Sequence, residues 1–355
     1  MSDDWVALHV FYASDSNPIL VEAVRPLVEE LRREELIDRW FFIKYWMEGP
    51  HLRVRFRPTR PELRAAVLAR ATAALQAFLD RRPALYDTDI DGLGDIYKKM
   101  YLAEYGEERY VEEYGADGQM PFRPNNSVAE MPYEREFDRY GGPAGMALGE
   151  WHFQASSDLV AKLLATSNTH VRPVLLGLAT QLSLLTAYTF LGSDEAVRRF
   201  FQRYRGFWET SYQEPSDDYH DSFDKSFALT KTTLLERIDR IRTITTGEPG
   251  QALSGIERTW LAHCRELQER VLTAAAAEEL VFPSRTTGER EPITDAEGLA
   301  TVLLSSYIHM TNNRFGVAIL DEIYLSYLIE KALDPETSAA PIAEVELEPA
   351  AAGPA

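Results

Sequence analysis

The sequence predicts an α+β fold: a mainly antiparallel sheet layer with its helices comes first, and a larger helical part follows. Three observations carry that prediction. Within the first sixty residues, three short stretches (5–12, 38–45 and 51–57) are rich in aromatic and β-branched residues, the composition of strands. From about residue 144 onward, apolar residues recur at three-and-four spacing with few interruptions, the period of helices that bury one face. Between the two parts stands Gly141-Gly142-Pro143, a strong local breaker.

Taken in order, Trp5 to Tyr12 reads as the first strand. Asn17 is placed to cap a helix with Pro18 at its first position, and Leu20, Val21, Val24, Leu27, Val28 and Leu31 give that helix one apolar face to about Glu35. Asp38 to Tyr45 forms a second strand, and Met47-Glu48-Gly49-Pro50 turns the chain into a third, His51 to Arg57. Pro58 to Pro61 is a polar hinge before a helix over 62–79. The segment 87–130, rich in Tyr, Gly, Asp and Glu, is expected to be a long loop with short strands, and a loop of that length is usually functional or disordered. Tyr133 to Gly142 reads as a strand of alternating charge. Seven helices are expected after it, at 144–165, 170–191, 194–208, 223–245, 252–279, 294–312 and 316–333, with a break at Phe282 to Ile293. Residues 1–143 thus form a sheet-containing part with the insert 87–130, and 144–334 form the helical part of the same domain. Residues 335–355 hold almost nothing that could be buried and are expected to be a disordered tail.

Composition narrows the function. At 355 residues, with 45% hydrophobic residues, the chain can bury a sizeable core. The single cysteine, Cys264, excludes an intramolecular disulfide and a cysteine-based metal cluster. No apolar stretch is expected to reach the roughly 18 residues of a membrane span, so the chain is expected in a reducing cytoplasm and off the membrane. The formal net charge of −19 argues against a broad nucleic-acid surface, which needs clustered Lys and Arg. It leaves room for one basic pocket in an acidic body. No Gly-rich phosphate loop, zinc-helix spacing or nucleophile elbow occurs, so neither a metal nor a cofactor is expected.

Three segments could carry chemistry. In His51-Leu52-Arg53-Val54-Arg55-Phe56-Arg57 a period of two puts Leu52, Val54 and Phe56 on one face. His51 and three guanidiniums fall on the other, spaced by about 7 Å. Such a row repels itself unless it meets carboxylates or an anionic ligand, for which the planar arginine fork is suited. A solvated outer face paired with nearby Asp or Glu is the alternative. The second segment, Tyr133-Glu134-Arg135-Glu136-Phe137-Asp138-Arg139-Tyr140, would as a strand place Tyr133, Arg135 and Arg139 on one side. Surface ion pairing is its plain alternative. The third, Ser305 to Gly316, is an apolar helix ending in polar groups, with His309 and Asn313 at i, i+4 and Gly316 as C-cap. Its histidine is either a structural hydrogen-bonder or a proton carrier near neutral pH.

Together, Asp38-Arg39-Trp40-Phe41-Phe42-Ile43-Lys44-Tyr45, the Gly49 to Arg57 strand, Tyr133 to Gly142 and Ile308 to Arg314 resemble the small domain of lantibiotic dehydratases. That domain also occurs free-standing in thiopeptide and related peptide pathways. The resemblance spans roughly residues 5–334 with four ordered motifs. The segment 87–130 is longer than the family leads one to expect and bears on substrate specificity more than on fold.

The resemblance implies a lyase. A separate domain esterifies a peptide Ser or Thr with glutamate from glutamyl-tRNA, and the small domain removes the glutamate to leave dehydroalanine or dehydrobutyrine. Matched motif by motif, Arg53 and Arg55 would bind the glutamate, Arg135 would be the third arginine, and His309 the general acid or base. His51, Tyr133, Asn313 and Arg314, neighbours within the same motifs, are the candidate substrate-binding residues. The partners implied are a precursor peptide with its leader and a glutamylating dehydratase subunit, without direct nucleic-acid contact; a homodimer is compatible with this. Two alternatives stand beside it. One is a pyridine synthase, joining two dehydroalanines in a formal [4+2] cycloaddition. The other is a non-catalytic peptide-binding partner of a dehydratase complex.

Overall fold

The computed structural model describes residues 4–86, 90–115, 118–212, 219–247, 252–284 and 288–335. Strand β1 (Val6–Phe11) is followed by a continuous helical rod: α1 (Asn17–Ile19), a π-helical turn (Leu20–Val24) and α2 (Arg25–Arg33). The cap differs from expectation. Ser16 occupies the N-cap position without a side-chain hydrogen bond, and Asn17 is already helical with Pro18 beside it. Strands β2 (Ile37–Tyr45) and β3 (His51–Pro58) then form a hairpin, and a 3-10 turn (Pro61–Leu63) leads into α3 (Arg64–Arg81).

The four-stranded sheet has the order β2-β3-β1-β4, all antiparallel where paired, with β4 spanning Ser127–Glu130. Its two faces differ as period-two alternation requires. Val6, Leu8, Val10, Leu52, Val54 and Phe56 are buried in a cluster with Leu27, Leu31, Val67, Leu75 and Phe78 from α2 and α3. The opposite face carries the arginines. Residues 51–57 are a strand, so the expected alignment of their side chains holds.

The segment 87–130 corrects the sequence expectation. It is mostly helical, with α4 (Ile90–Tyr105) and α5 (Glu107–Tyr114) ahead of β4. Tyr97, Tyr101 and Tyr105 follow one another at i+4, as do Tyr110 and Tyr114, so the tyrosines form a helical stripe. Tyr101 is fully buried, with ring centroids 4.9 Å from Tyr105, 5.3 Å from Tyr110 and 5.6 Å from Tyr114.

The stretch 133–142 is the second correction. It runs irregularly to Glu136 and closes in the single turn α6 (Phe137–Tyr140). The free edge of β1 is already taken by β4, and Pro132 cannot donate to a ladder. The charges pair locally instead, with Arg139 Nη1 3.2 Å from Glu136 at i, i+3, a helical spacing. Gly141 and Gly142 both take positive φ (83° and 82°), and a Cβ on Gly141 would meet Phe282 at 2.6 Å, so no other residue fits there without strain.

The helical part comprises α7 (Gly142–Thr166), α8 (Arg172–Leu191), α9 (Asp194–Tyr212), α10 (Tyr219–Thr246) and α11 (Gly255–Ala276). A small hairpin of β5 (Val281–Pro283) and β6 (Arg290–Pro292) follows. The next helix runs through α12 (Ala296–Leu299), a π-helical turn (Ala300–Leu304) and α13 (Ser305–Phe315), and α14 (Ile319–Ala332) closes the described chain. Gly316 ends α13 at φ +82°, as its sequence position predicts. Against the sequence expectation, α8 is long and apolar enough to cross a membrane, with a mean hydropathy of 1.6. Here it is a core helix: Leu182, Leu184, Leu185 and Ala187 are essentially inaccessible, and its Leu182 carbonyl and Thr186 hydroxyl take the indole N–H of buried Trp260. Apart from Pro335, the expected tail lies outside the described residues.

Candidate active site

The register of the sheet assembles the site. Opposite Arg55 stand Ala7 and Phe41, opposite Arg53 stand His9 and Ile43, and opposite His51 stand Phe11 and Tyr45. Directly opposed residues share a face, so aromatic and imidazole rings flank the guanidiniums. This face bounds a cavity of about 560 Å³, within the usual range of a small-molecule pocket. The hairpin turn sets its rim. Glu48 and Gly49 adopt φ +60° and +111°, and a Cβ on Gly49 would press on Phe122 at 3.3 Å.

Each cationic residue is held differently. Arg53 lies over the Tyr45 ring, 3.6 Å from its centroid, and its Nε donates to His51 Nε2 at 3.0 Å. His51 Nδ1 donates to the Gly49 carbonyl at 2.8 Å, which fixes the neutral tautomer. Burial first, and then the Arg53 charge, push His51 down to about 3. His9 stacks on it at 4.8 Å, and burial followed by the same arginine drives its basicity still lower. These two rings are therefore neutral spacers rather than proton carriers at neutral pH.

Arg55 is 7% exposed. Its guanidinium lies 4.2 Å from the Tyr133 ring centroid and 5.2 Å from that of Phe41. Its Nε is buried without a hydrogen-bond partner among the described residues, and burial pushes the group down to about 10. A buried cation packed on ring faces, with the Glu136 and Glu150 charges nearby but its Nε unbonded, is poised for an anion.

Across the cavity, His309 projects from α13. Its Nδ1 lies 2.8 Å from Glu322 Oε1, and its ring 4.8 Å from that of Trp208. Glu322, 1% exposed, also takes the Tyr204 hydroxyl and the Asn312 amide (3.2 Å). A carboxylate so held fixes the imidazole with hydrogen on Nδ1 and leaves Nε2 for chemistry, the arrangement of a triad's histidine. Asn313 joins the same wall. Its side chain accepts from Lys44 N (2.9 Å) and donates to Lys44 O (2.8 Å), sewing the His309 helix to the sheet.

Not every sequence candidate meets here. Arg53, Arg55, His51, Tyr133, His309 and Asn313 line the cavity, whereas Arg135 and Arg314 do not. Arg135 turns to the buried Glu150, at 2.8 Å. Arg139 is the arginine of that motif on the cavity, with its Nε on the Ser306 hydroxyl at 3.0 Å. Arg314 is fully inaccessible, bound to Ser157 Oγ at 3.0 Å and packed on Phe153 at 4.9 Å, and burial pushes it down to about 9.

Residues that sequence reasoning passed over complete the walls: Tyr45, Tyr105, Arg109, Glu113, Tyr114 and Phe153. Four of these come from α4 and α5, and their i+4 tyrosine spacing is the signal that could have found them. Among the described residues no group of three or more His, Cys, Asp or Glu could hold a metal ion.

Residues 5–333 match the family described as the C-terminal part of the lantibiotic biosynthesis dehydratase. The chain belongs to this family. Its fold is also that of the pyridine synthase TbtD from thiomuracin biosynthesis, with a TM-score of 0.71 and 18% identity over 93% of this chain and 97% of that one. TsrL gives a TM-score of 0.64 at 18% identity, over 94% and 95% of the two chains. The tRNA-dependent lantibiotic dehydratase MibB from Microbispora sp. 107891 gives 0.52 at 20% identity; 93% of this chain corresponds to 28% of that one. A comparison with curated protein sequences gives no match. The cavity lies between the sheet's arginine face and the helix that carries His309.

Proposed function

We propose that the cavity catalyses β-elimination of glutamate from a glutamylated Ser or Thr of a precursor peptide. The single observation that carries this is Arg55, a buried guanidinium whose Nε has no hydrogen-bond partner among the described residues, beside Arg53 on the wall of the cavity that His309 also lines. In the reaction, His309 Nε2 takes the proton from the peptide α-carbon. The Cα–H electron pair becomes the Cα=Cβ bond, and the Cβ–O bond breaks to release glutamate as a carboxylate. Glu322 stabilises the imidazolium that forms, while Arg53 and Arg55 bind the departing carboxylate, where fixed charge in a dry site is most effective. The ester would be supplied by a separate glutamylating protein. That inference draws on MibB, a tRNA-dependent dehydratase of which this chain's counterpart is only 28%.

A specific observation favours a second reading, pyridine formation from two dehydroalanines. The chain corresponds end to end with TbtD, a pyridine synthase, at a higher TM-score than with MibB. The comparisons lean to cycloaddition, and the arginine pair on the sheet wall leans to elimination. The experiment is to offer the purified protein a glutamylated peptide and, separately, a peptide bearing two dehydroalanines. Mass spectrometry showing loss of glutamate from the first supports elimination. Ring formation from the second, with the first left intact, overturns it.

A further inference from the structure

The cavity has two chemically different walls. The sheet wall is cationic, with Arg53 and Arg55. The wall contributed by α4 and α5 is aromatic and electrically balanced. Tyr105 and Tyr114 are half-buried on it, and Arg109 packs its guanidinium 4.8 Å from the Tyr105 ring centroid. The same Arg109 pairs with Glu113 at 2.8 Å, so the charges on this wall cancel. The stripe behind it is firm: Tyr101 is fully inaccessible, and Tyr110 donates its hydroxyl to Gly118 O at 3.1 Å.

The two walls are tied together. The Tyr45 ring lies beneath Arg53, and the Tyr45 hydroxyl contacts the Tyr105 hydroxyl. A chain bound with a carboxylate on the guanidiniums therefore brings its adjacent, uncharged portion against tyrosine faces. Aromatic rings favour offset or edge-on contact with one another beyond the area they bury, and the Arg109–Glu113 pair leaves this lining electrically balanced toward a flat apolar ring.

We propose that α4 and α5 form the specificity wall for the peptide residue next to the reacting one, and that Tyr105 and Tyr114 select an aromatic side chain there. This rests on a peptide substrate, as the proposed function does, but not on which bond is made or broken. Tyr105 is the principal selecting residue because its place against Tyr45, the ring beneath Arg53, sets its own ring beside the arginine face.

The test reads binding rather than turnover. Two fluorescently labelled peptides, differing only in Phe or Ala beside a glutamylated serine, are titrated with the full chain and followed by anisotropy. Wild type is expected to bind the Phe peptide about tenfold more tightly. Tyr105→Leu keeps apolar bulk without the ring and should reduce that ratio to about two, whereas Tyr105→Phe should preserve it; thermal unfolding of each variant confirms that the wall is intact. Equal affinity of wild type for both peptides, or an undiminished ratio in folded Tyr105→Leu, overturns the proposal. Failure of elimination in a parallel incubation, with the affinity ratio intact, overturns the proposed reaction and leaves the specificity wall standing.

Discussion

Replacing Arg55 with methionine separates stability from function more sharply than any other change in the site. The guanidinium is pushed well below its ordinary basicity, to about 10, chiefly by burial. At 1.36 kcal/mol per pH unit, holding the charge inside costs about 3 kcal/mol. A base with lowered folded basicity destabilises the fold at every pH below about 10, and the penalty fades as pH rises toward the group's ordinary value. The Tyr133 and Phe41 faces return about 1–2 kcal/mol. Methionine fills a similar volume, so the variant is expected to gain about 1–2 kcal/mol. Spread over an unfolding entropy of roughly 2.1 cal/mol/K per residue, that is a rise in Tm of about 1–3 °C. Turnover should fall by about 10²–10³, the usual effect of removing one donor aimed at developing charge. Calorimetry and single-turnover mass spectrometry on a preformed glutamyl peptide measure the two quantities. A variant that is several kcal/mol less stable would show that Arg55 is structural. Full activity in a stable variant would remove it from the reaction.

Three further outcomes follow from the geometry. Glu322→Gln keeps the shape but loses the carboxylate that orients His309 at 2.8 Å; kcat should drop by about 10²-fold or more, and an unchanged pH–rate profile would dissociate the pair from proton transfer. Gly141→Ala must place a methyl group 2.6 Å from Phe282 at φ +83°, so urea unfolding should show a loss of about 2–4 kcal/mol from backbone strain and overpacking. Glu257 is held down to about 2, first by its hydrogen bond to Arg240. A lowered carboxyl stabilises the fold above its ordinary 4.5 and loses that contribution as pH falls toward 2, so denaturation midpoints should decline over this window in wild type and less steeply in Arg240→Met.

Period two in the arginine strand made its face legible, because no residue between 51 and 57 contradicts the alternation. The strand face alone, however, does not reveal what stands across from it. Glu322 lies on α14, and only the packing of α14 beside α13 brings it to His309. Asn313 carries no sign in its type that it would clasp the Lys44 backbone. The error at 133–140 has a local cause: alternating charges fit a strand at period two, yet Glu136 and Arg139 fit a helical turn equally well at i, i+3, and the occupied sheet edge decided between them. The insert was misjudged for the opposite reason. Its Gly, Asp and Glu content suggested a loop, and that impression outweighed the i+4 tyrosines that in fact set its period. The two π-helical turns, Leu20–Val24 and Ala300–Leu304, leave apolar spacing nearly unchanged and had no signal to offer.

The distribution of positive charge bears on the proposed reaction. With a formal net charge of −19, this chain has carboxylates available for its arginines, and at many surface positions it uses them, as in Arg57–Asp38 and Arg240–Glu257. Arg55 and Arg314, the two most deeply buried arginines, have no ion pair among the described residues. Selection for stability alone would pair them or replace them with hydrophobic residues. Arg314 sits one layer behind the cavity, packed on Phe153, which lines it. Burial first, and then the neighbouring Arg55 charge among others, lowers the basicity of Arg314. Two buried cations outside any ion pair among the described residues, one on the wall and one behind it, raise the local potential on that side of the cavity, and burial weakens its screening. Such an arrangement destabilises the empty protein and becomes favourable only when negative charge enters or develops in the cavity, which is the condition a departing carboxylate fulfils.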